Sequence, residues 1–403
     1  MRFIHTADWH LGKRLHDFSL VDVQRQAVEQ VIDLVASAEP DAVVVAGDVF
    51  DTQVPSLGAL ELWEAAVEAI VGEHGIPMIV IPGNHDHADR LGAHSGLARR
   101  AGLHYLRYLS GCADPVTIGG VDFHGVPFHK PVHVNAAFRD DAPGIGDFDY
   151  AGAMSHTLDH VRSKRSGRPA VLVAHAFVDG AGEEPEGEDA ISVGGAGAVP
   201  VSALAGFDYV ALGHIHRRAR LGGDAVQYSG SLYPYSFSEV LSEASRVKSV
   251  TLVELADGGG VASYERLDVA VDRGVRVVDG LSFAEVLAAA QHESVALRDH
   301  YTLVKVTDTD PLTDALAALR EWYPHAVLEQ PRIAAPTWVP CLVGDYRTTS
   351  PEDALRQFYR YVFEEDMSEL EEDVLREALS ADDGGSDTAG AGGSGAGGSG
   401  ADA

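Results

Sequence analysis

Five short stretches of the sequence end an apolar run with side chains that can bind a metal ion. The clearest is "LGHIH", in which two histidines follow the run "YVAL". In open α/β sheets, ligands gather beyond the carboxyl ends of the strands, so one cleft would receive all of these side chains. The candidate ligands, in chain order, are Asp8, His10, Asp48, Asn84, His85, His175, His214 and His216.

The types of these residues restrict the chemistry. Imidazole, carboxylate and an amide oxygen, with no thiolate, suit a borderline-to-hard divalent cation such as Mn²⁺, with Mg²⁺ as the alternative. Zinc favours cysteine, and calcium favours more carboxylates. A set of about eight donors is enough for two ions, which can polarise one phosphate together when they share a carboxylate. Gly47, Gly83 and Gly213 stand beside these donors and would allow close backbone approach.

Each candidate also has an ordinary structural explanation. A single histidine at a strand end is more often a hydrogen-bonded polar residue than a ligand, and an aspartate after glycine is often a turn residue. Five such ends in succession are improbable as a coincidence. The sequence therefore predicts a site for two metal ions.

The elements that must position these residues follow from the alternation of apolar and helical patterns. Short β-branched runs alternate with helical patterns over the first 230 residues, which predicts an α/β layered domain. Helical spacing occurs near residues 21–38, 58–72 and 147–163. The Gly- and acid-rich stretch at 179–198 is interpreted as a long loop.

The pattern changes after residue 247. "KSVTLVEL" and "VASYERLDVAV" resemble sheet-edge strands, and residues 281–331 predict a second, smaller α/β unit. We expect a main domain at 1–270, a small α/β capping domain at 271–345, a helical segment at 346–380 and a disordered Gly/Ala/Ser tail at 381–403.

The helical segment carries one apolar stripe. Ser350 can cap the helix and Pro351 suits its first turn. The stripe has i, i+3, i+4, i+7, i+8 spacing and could dock on a partner or pack on its own domain. Its residues are Leu355, Phe358, Tyr359, Val362 and Phe363.

Composition sets further limits. The net charge of -31 argues against a protein that coats nucleic acid by charge alone, although bound cations can reverse the field locally. Two cysteines are too few for a disulfide framework, and no apolar run is long enough to span a membrane. We expect a cytoplasmic protein.

The motifs together resemble a known family. "D-x-H" at residue 8, "GDVFD", "GNHD", the strand-end histidine of "VLVAHA" and "GHIH" are similar to the motifs of the calcineurin-like metallophosphoesterases, over residues 1 to about 230. "ADWHLG", "YSGSLYPYSFSE" and "FDYVALGHIHR" resemble, more narrowly, the bacterial SbcD family of nuclease subunits, over roughly residues 1–379. The resemblance implies a metallophosphoesterase fold, in which helices enclose two layers of mixed sheet.

The resemblance also implies a role for each ligand. One ion would be held by Asp8, His10 and His216, and the other by Asn84, His175 and His214. Asp48 would bridge both ions and belong to the catalytic centre. His85 would stabilise the phosphate in the transition state or protonate the leaving oxygen. Some relatives carry a histidine where this chain has Asp51, and this difference concerns the positioning of substrate.

Four neighbouring residues are further candidates. Asp86 could orient an imidazole or could be a turn residue. Lys13 and Arg14 follow the first motif, and Arg217 follows the last, so each could reach a phosphate or remain a solvated surface residue.

The family resemblance implies a DNA nuclease. The activities implied are a double-strand exonuclease, expected to act 3′ to 5′, and a single-strand or hairpin endonuclease, in DNA end processing for replication, recombination and repair. The partner would be an SbcC-type ATPase related to the structural-maintenance-of-chromosomes proteins, in a heterotetramer built on a nuclease homodimer. Two alternatives remain: a stand-alone phosphodiesterase or phosphatase on a small substrate, and a non-catalytic scaffold that binds DNA ends.

Overall fold

The computed structural model describes residues 1–138, 148–180, 198–241, 247–331, 350–363, 366–368 and 370–375. The chain divides into two compact units, Met1–Pro331 and Arg332–Ala403. Among the residues described, none of the helices has the length and apolar character needed to cross a membrane.

The described strands form four sheets. Strands β14-β13-β1-β4-β5-β6 and β11-β12-β10-β9-β8-β7 build two six-stranded sheets, β15-β16-β17 build a smaller one, and β2-β3 form a hairpin. The strands are β1 (Arg2–Thr6), β2 (Arg14–Leu15), β3 (Phe18–Ser19), β4 (Ala42–Ala46), β5 (Met78–Ile81), β6 (Leu103–Tyr105), β7 (Val116–Ile118), β8 (Val121–Val126), β9 (Ala170–His175), β10 (Tyr209–Gly213), β11 (Ala219–Leu221), β12 (Val226–Tyr228), β13 (Lys248–Leu255), β14 (Val261–Val269), β15 (Val275–Leu281), β16 (Tyr301–Val306) and β17 (Ala326–Glu329).

The described helices agree with the predicted helical spacing. A π-helical turn, Glu68–Glu73, continues the second helix, and 3₁₀ turns lie at Leu109–Gly111 and Val201–Leu204. The α-helices are α1 (Val21–Ala38), α2 (Leu57–Val67), α3 (Ala88–Leu91), α4 (Ser95–Ala101), α5 (Pro131–Ala137), α6 (Tyr150–Ser163), α7 (Phe283–Ala290), α8 (Val295–Arg298), α9 (Ala315–Arg320) and α10 (Pro351–Phe363). A further short helix covers residues 370–375.

The two large sheets pack face to face between helices. In β4, Val43 and Val45 belong to the core under α1 and α2, whereas Val44 belongs to the core between the sheets. The second sheet packs its outer face on α5 and α6. Because both faces of each central strand are covered, "AVVVA" is buried along its whole length. The predicted fold class, mixed sheets in two layers enclosed by helices, is confirmed.

One strand assignment is wrong. The sequence suggested two edge strands after residue 247, but β13 lies inside its sheet, antiparallel to β1 on one side and to β14 on the other. Its burial explains why: the first six of its eight residues are buried. Of the two strands, only β14 lies at the edge, and all of its residues except the last are half-buried or exposed.

The smaller sheet forms the predicted second α/β unit. Its three strands are parallel, and α7 and α9 contribute to a small core of their own. The Tyr301 hydroxyl donates a hydrogen bond to the carbonyl of Ser19 in the β2–β3 hairpin, 3.2 Å away. The predicted bounds of 271–345 for a capping domain stay a prediction, and residues 332–345 lie outside the described part of the chain.

The second compact unit contains α10. Ser350 caps this helix as predicted, because its Oγ accepts a hydrogen bond from the Asp353 amide at 3.1 Å. The side chains of Leu355 and Phe358 are 41% and 48% exposed. Three further parts lie outside the described residues: the side chains of Val362 and Phe363, residues 181–197 of the loop predicted at 179–198, and the tail predicted at 381–403.

Candidate metal centre

The predicted ligands come together at the carboxyl ends of five parallel strands. The first sheet supplies Asp8 and His10 after β1, Asp48 after β4, and Asn84 and His85 after β5. The second sheet supplies His175 at the end of β9, and His214 and His216 after β10. The site therefore lies where the two sheets meet at one end of the sandwich.

One group of donors contains Asp8, His10 and His216. Each offers one ligand atom, and these atoms all lie within 4.8 Å of one another. The Nε2 atoms of the two histidines are 3.0 Å apart. Asp8 also accepts hydrogen bonds from the His214 amide, at 2.9 and 3.1 Å, which join the loop after β1 to the loop after β10.

A second group contains Asp48, His175 and His214, with ligand atoms again within 4.8 Å of one another. The Asn84 Oδ1 atom lies 3.0 Å from His175 Nε2 and 3.0 Å from His214 Nδ1. The amide oxygen thus faces the same point as two imidazoles.

Asp48 belongs to the second group and also reaches the first. Its Oδ2 atom is 3.3 Å from His175 Nε2 and 3.6 Å from His10 Nε2. Its Oδ1 atom accepts a hydrogen bond from the His85 amide at 2.8 Å. One carboxylate therefore contacts a histidine of each group and also fixes the loop after β5.

These donors fit divalent cations. Nitrogen and oxygen atoms that carry lone pairs converge at two neighbouring points, in a buried setting where each would otherwise need a donor partner. The set contains imidazole, carboxylate and amide oxygen, which suits Mn²⁺ or a similar ion. The two groups are candidate sites for divalent metal ions.

The backbone is held in rare conformations at this site. Asp8, His10 and Asp48 have φ values of 53°, 42° and 50°, and His214 has a φ of 108°. Residues other than glycine avoid positive φ because their Cβ is crowded there. Such strained conformations persist where the surrounding structure and function require them. These residues lie in the loops directly after β1, β4 and β10, which carry the donors.

Two glycines give the room that the site needs. A Cβ on Gly47, whose φ is +92°, would lie 2.2 Å from His175 Nδ1. A Cβ on Gly83 would lie 2.1 Å from Asp48 Oδ1. Both contacts are far inside the van der Waals limit, so the predicted close backbone approach is confirmed at these positions.

Backbone carbonyls orient two of the imidazoles. His175 Nδ1 lies 2.8 Å from the Ala46 carbonyl oxygen, and His85 Nδ1 lies 2.8 Å from the Asp51 carbonyl oxygen. A carbonyl only accepts, so both Nδ1 atoms carry the proton and donate. The Nε2 atom of each ring is left to face the cleft.

The site perturbs the ionisation of its own members. Burial alone would lower the pKa of His175, but the neighbouring Asp48 carboxylate raises it to about 9. Burial raises the pKa of Asp8 to about 6. For Asp48, burial acts to raise the pKa, yet the histidines around it, His175 first, bring it well below its usual range.

Asp86 supports the loops. Its carboxylate accepts hydrogen bonds from the amides of Val49, Phe50 and Gly83, at 3.0, 2.9 and 3.0 Å. Of the two interpretations of Asp86, these contacts favour the turn residue, since all three donors are backbone amides. The carboxylate joins the loop after β4 to the loop after β5.

The remaining candidates differ in their distance from the site. Asp51 Oδ1 lies 3.3 Å from His10 Nδ1 and 2.7 Å from Lys13 Nζ, so this ion pair borders the first donor group. Burial acts to raise the pKa of Asp51, but hydrogen bonds from His10 and Lys13 lower it to about 2. Arg14 donates to the carbonyl of Asp17 in its own hairpin. Arg217 lies behind the donors, where it lines a small cavity together with His216, Arg218 and Lys248.

Sequence reasoning missed residues that hold the histidines. Glu239 Oε1 lies 3.1 Å from His216 Nδ1. The side-chain amide of Gln24 donates a hydrogen bond to the backbone carbonyl of His10 at 2.6 Å. The ring of Phe128 stacks against the ring of His214. Glu239 stands in "YSFSE", which carried the family resemblance but gave no sign of a contact with His216, because no regular spacing joins the two positions.

The chain belongs to the calcineurin-like phosphoesterase family, whose model matches residues 1–218. It is 28% identical over 382 residues to the SbcD subunit of the nuclease SbcCD of Staphylococcus epidermidis, covering 94% of this chain and 98% of that relative. The predicted resemblance to the SbcD family of nuclease subunits is thereby confirmed.

Two solved structures are also similar. The crystal structure of TT1561 of Thermus thermophilus has a TM-score of 0.40 and 14% identity, covering 67% of this chain and 99% of that one. A 5′-nucleotidase precursor from Thermus thermophilus has a TM-score of 0.35 and 15% identity, covering 67% of this chain and 54% of that one.

Proposed function

We propose that this protein is a metal-dependent DNA nuclease that hydrolyses phosphodiester bonds at DNA ends and hairpins. The observation that carries the proposal is the pair of donor groups, which Asp48 joins because it belongs to the second group and also reaches His10 of the first, with His85 beside them. The similarity to a nuclease subunit along 94% of the chain supports DNA as the substrate.

In this proposal Asp8, His10 and His216 hold one ion, and Asn84, His175 and His214 hold the other. Asp48 contacts both groups and would bridge the ions. Mn²⁺ is the proposed metal because nitrogen and oxygen donors are mixed. When bound, two such ions would polarise the phosphodiester and lower the pKa of an attacking water.

His85 is the proposed acid and phosphate ligand. Its ring packs edge-on against His10, with the ring centres 4.7 Å apart, so it borders the first donor group. Its Nδ1 is occupied by the Asp51 carbonyl. The Nε2 atom can then donate a hydrogen bond to the phosphate or a proton to the leaving oxygen when the ring is protonated. The Asp51 carbonyl would keep that nitrogen aimed at the substrate.

The acidity of the chain is compatible with DNA if charge is supplied locally. The net charge of -31 would repel a phosphate backbone, but two divalent ions reverse the field at the cleft. Lys13 adds a cation near the first donor group, although Asp51 neutralises it at 2.7 Å. We propose that a partner protein supplies most of the surface that contacts DNA.

The proposed partner is an SbcC-type ATPase related to the structural-maintenance-of-chromosomes proteins, bound through α10. Leu355 and Phe358 are exposed and share one face of the helix. Arg356 pairs with Glu372 at 3.1 Å, and the Tyr359 hydroxyl donates to Glu371 at 2.6 Å. These polar contacts join α10 to the next helix, and we propose that the exposed side chains of Leu355 and Phe358 bind a groove on another protein.

The larger assembly follows from the same family. We propose a nuclease homodimer with two copies of the ATPase, acting in the cytoplasm on nucleoid DNA during replication, recombination and repair. The unit built on β15–β17 would cap the cleft and orient duplex ends.

The test is a nuclease assay on the purified protein with Mn²⁺, with and without the ATPase partner and ATP. The substrates are labelled linear duplex and hairpin DNA. Cleavage of both, 3′ to 5′ on the duplex, is the expected result. Hydrolysis of a generic phosphodiester dye without action on DNA, even with the partner present, would instead favour a small-molecule phosphodiesterase. DNA binding without cleavage would favour a scaffold.

A further inference from the structure

Behind the first donor group, the carboxylate of Glu239 is held between a histidine and a lysine. Its Oε1 atom lies 3.1 Å from His216 Nδ1 and accepts a hydrogen bond from the Tyr235 amide at 3.0 Å. Its Oε2 atom lies 2.6 Å from Lys248 Nζ. Every contact of the two oxygens is with a donor, since a carboxylate accepts only.

Lys248 is buried, and each of its protons has an acceptor. Its Nζ atom donates to the His216 carbonyl at 3.0 Å, to Ser231 Oγ at 3.0 Å and to Glu239 Oε2 at 2.6 Å. The side chain of Lys248 is only 6% exposed. Lys248 begins β13, which pairs with β1 in the first six-stranded sheet. Its bonds therefore attach His216 to that sheet, directly at the backbone carbonyl and through Glu239 at the side chain.

This arrangement decides which nitrogen of His216 carries the proton. A neutral imidazole that donates from Nδ1 to a carboxylate presents an unprotonated Nε2. That Nε2 is the atom 3.0 Å from His10 Nε2 and is the one within reach of the first donor group. A metal ligand requires the unprotonated nitrogen, and the partner of the other nitrogen sets it.

We propose that Glu239, fixed by Lys248, is a positioning residue that sets the tautomer and direction of His216 for the first metal ion. The inference rests on the proposed metal-dependent function. It assigns a role to a side chain 23 residues after His216, outside the five stretches that supply the candidate ligands. Glu239 does for His216 what the Ala46 carbonyl does for His175 at 2.8 Å, but through a side chain that substitution can change.

The substitution Glu239→Gln keeps the size of the side chain and removes one acceptor. Whichever way the amide turns, its NH₂ group meets a donor. It faces either Lys248, or His216 together with the Tyr235 amide. The ammonium group holds the oxygen more strongly because its hydrogen bond is charge-assisted. The NH₂ group then faces His216 Nδ1, and the proton of that ring is driven to Nε2.

The experiment measures Mn²⁺ binding by calorimetry and the melting temperature of the metal-free protein. In the Glu239→Gln variant, we expect one of the two Mn²⁺ ions to bind about 10–100-fold more weakly, with the other unchanged. We expect the metal-free melting temperature to stay close to that of the parent. The inference would be overturned if the variant bound both Mn²⁺ ions as tightly as the parent does. It would also be overturned if the metal-free variant unfolded, because the role of Glu239 would then be structural.

A double variant separates positioning from simple damage. Glu239→Gln with Lys248→Met removes the cation that captures the amide oxygen, so that oxygen can again accept from His216. We expect Mn²⁺ affinity to recover relative to the single variant, whereas additive losses would contradict the proposed geometry. The matched control is Glu329→Gln with Lys305→Met, a partly exposed ion pair of 3.6 Å in the small sheet, and this change should leave the binding of both Mn²⁺ ions unaffected.

The parent protein distinguishes the two levels of failure. If the parent binds no Mn²⁺, the proposed metal-dependent function fails. If the parent binds two Mn²⁺ ions and the Glu239→Gln variant binds both as tightly as the parent, only the proposed role of Glu239 fails.

Discussion

Binding of the metal should displace a proton from His175. This imidazole is buried and its pKa is raised to about 9 by Asp48, against the effect of burial, so it is protonated at pH 7 before the metal binds. A ligand nitrogen must lose its proton, so binding of the ion and release of the proton are linked. Burial raises the pKa of Asp8 to about 6, so this carboxylate is mostly ionised at pH 7.

The size and sign of the effect follow from these two values. Between pH 7 and pH 9, the affinity of the site that contains His175 should rise about tenfold per pH unit, about 100-fold in all, and then level off. About one proton should be released per protein at pH 7. Below pH 6 the total dependence on pH should steepen, because Asp8 must lose a proton as well.

Calorimetric titration with Mn²⁺ in buffers of different ionisation enthalpy counts the protons released. His175→Asn should reduce the count at pH 7 by about one. His129→Asn is the matched control, because burial lowers the pKa of His129 and this ring is already neutral. A parent protein that binds Mn²⁺ at pH 7 without releasing a proton would refute the reasoning.

Three further predictions concern the acid, the packing and the partner. His85→Ala should lower the rate of DNA cleavage by about 10²–10⁴-fold while two Mn²⁺ ions remain bound, and an unchanged rate would favour a non-catalytic scaffold. Gly83→Ala should lower the free energy of unfolding by about 1–3 kcal/mol and weaken Mn²⁺ binding, because the new Cβ would meet Asp48 Oδ1 at 2.1 Å. Gly96→Ala meets nothing within 4 Å and is its control in thermal denaturation. Truncation after residue 350 should leave Mn²⁺ binding intact and abolish complex formation with the ATPase, and co-elution of the truncated protein with the ATPase would contradict docking through α10.

The sequence predicted the five strands that end in candidate ligands, and the ligands themselves, because both signals are local. A parallel strand covered on both faces is an unbroken apolar run, as in "AVVVA", and the residue that follows it lies at the edge of the sheet. The ends of β1, β4, β5, β9 and β10 could therefore be placed together from the sequence.

The supporting contacts could not be predicted in this way. Glu239 meets His216 through an irregular segment, and Gln24 meets the carbonyl of His10 from the side of α1. Such contacts depend on how distant elements pack, which no periodicity encodes. The wrong assignment of β13 has a similar cause. One of its neighbours, β1, lies far away in the sequence, so the sequence around β13 does not show that the strand is paired on both sides.

The position of the donors across the seam between the sheets has a mechanical consequence. Asp8, His10, Asp48 and Asn84 follow strands of one sheet, whereas His175, His214 and His216 follow strands of the other. Ions bound to ligands from both sets would cross-link the two sheets, and a chelator would remove these cross-links. We expect the layers to loosen at this end first, so that amide hydrogen exchange would rise in the strand ends around the cleft before it rises in the remote half of the sandwich.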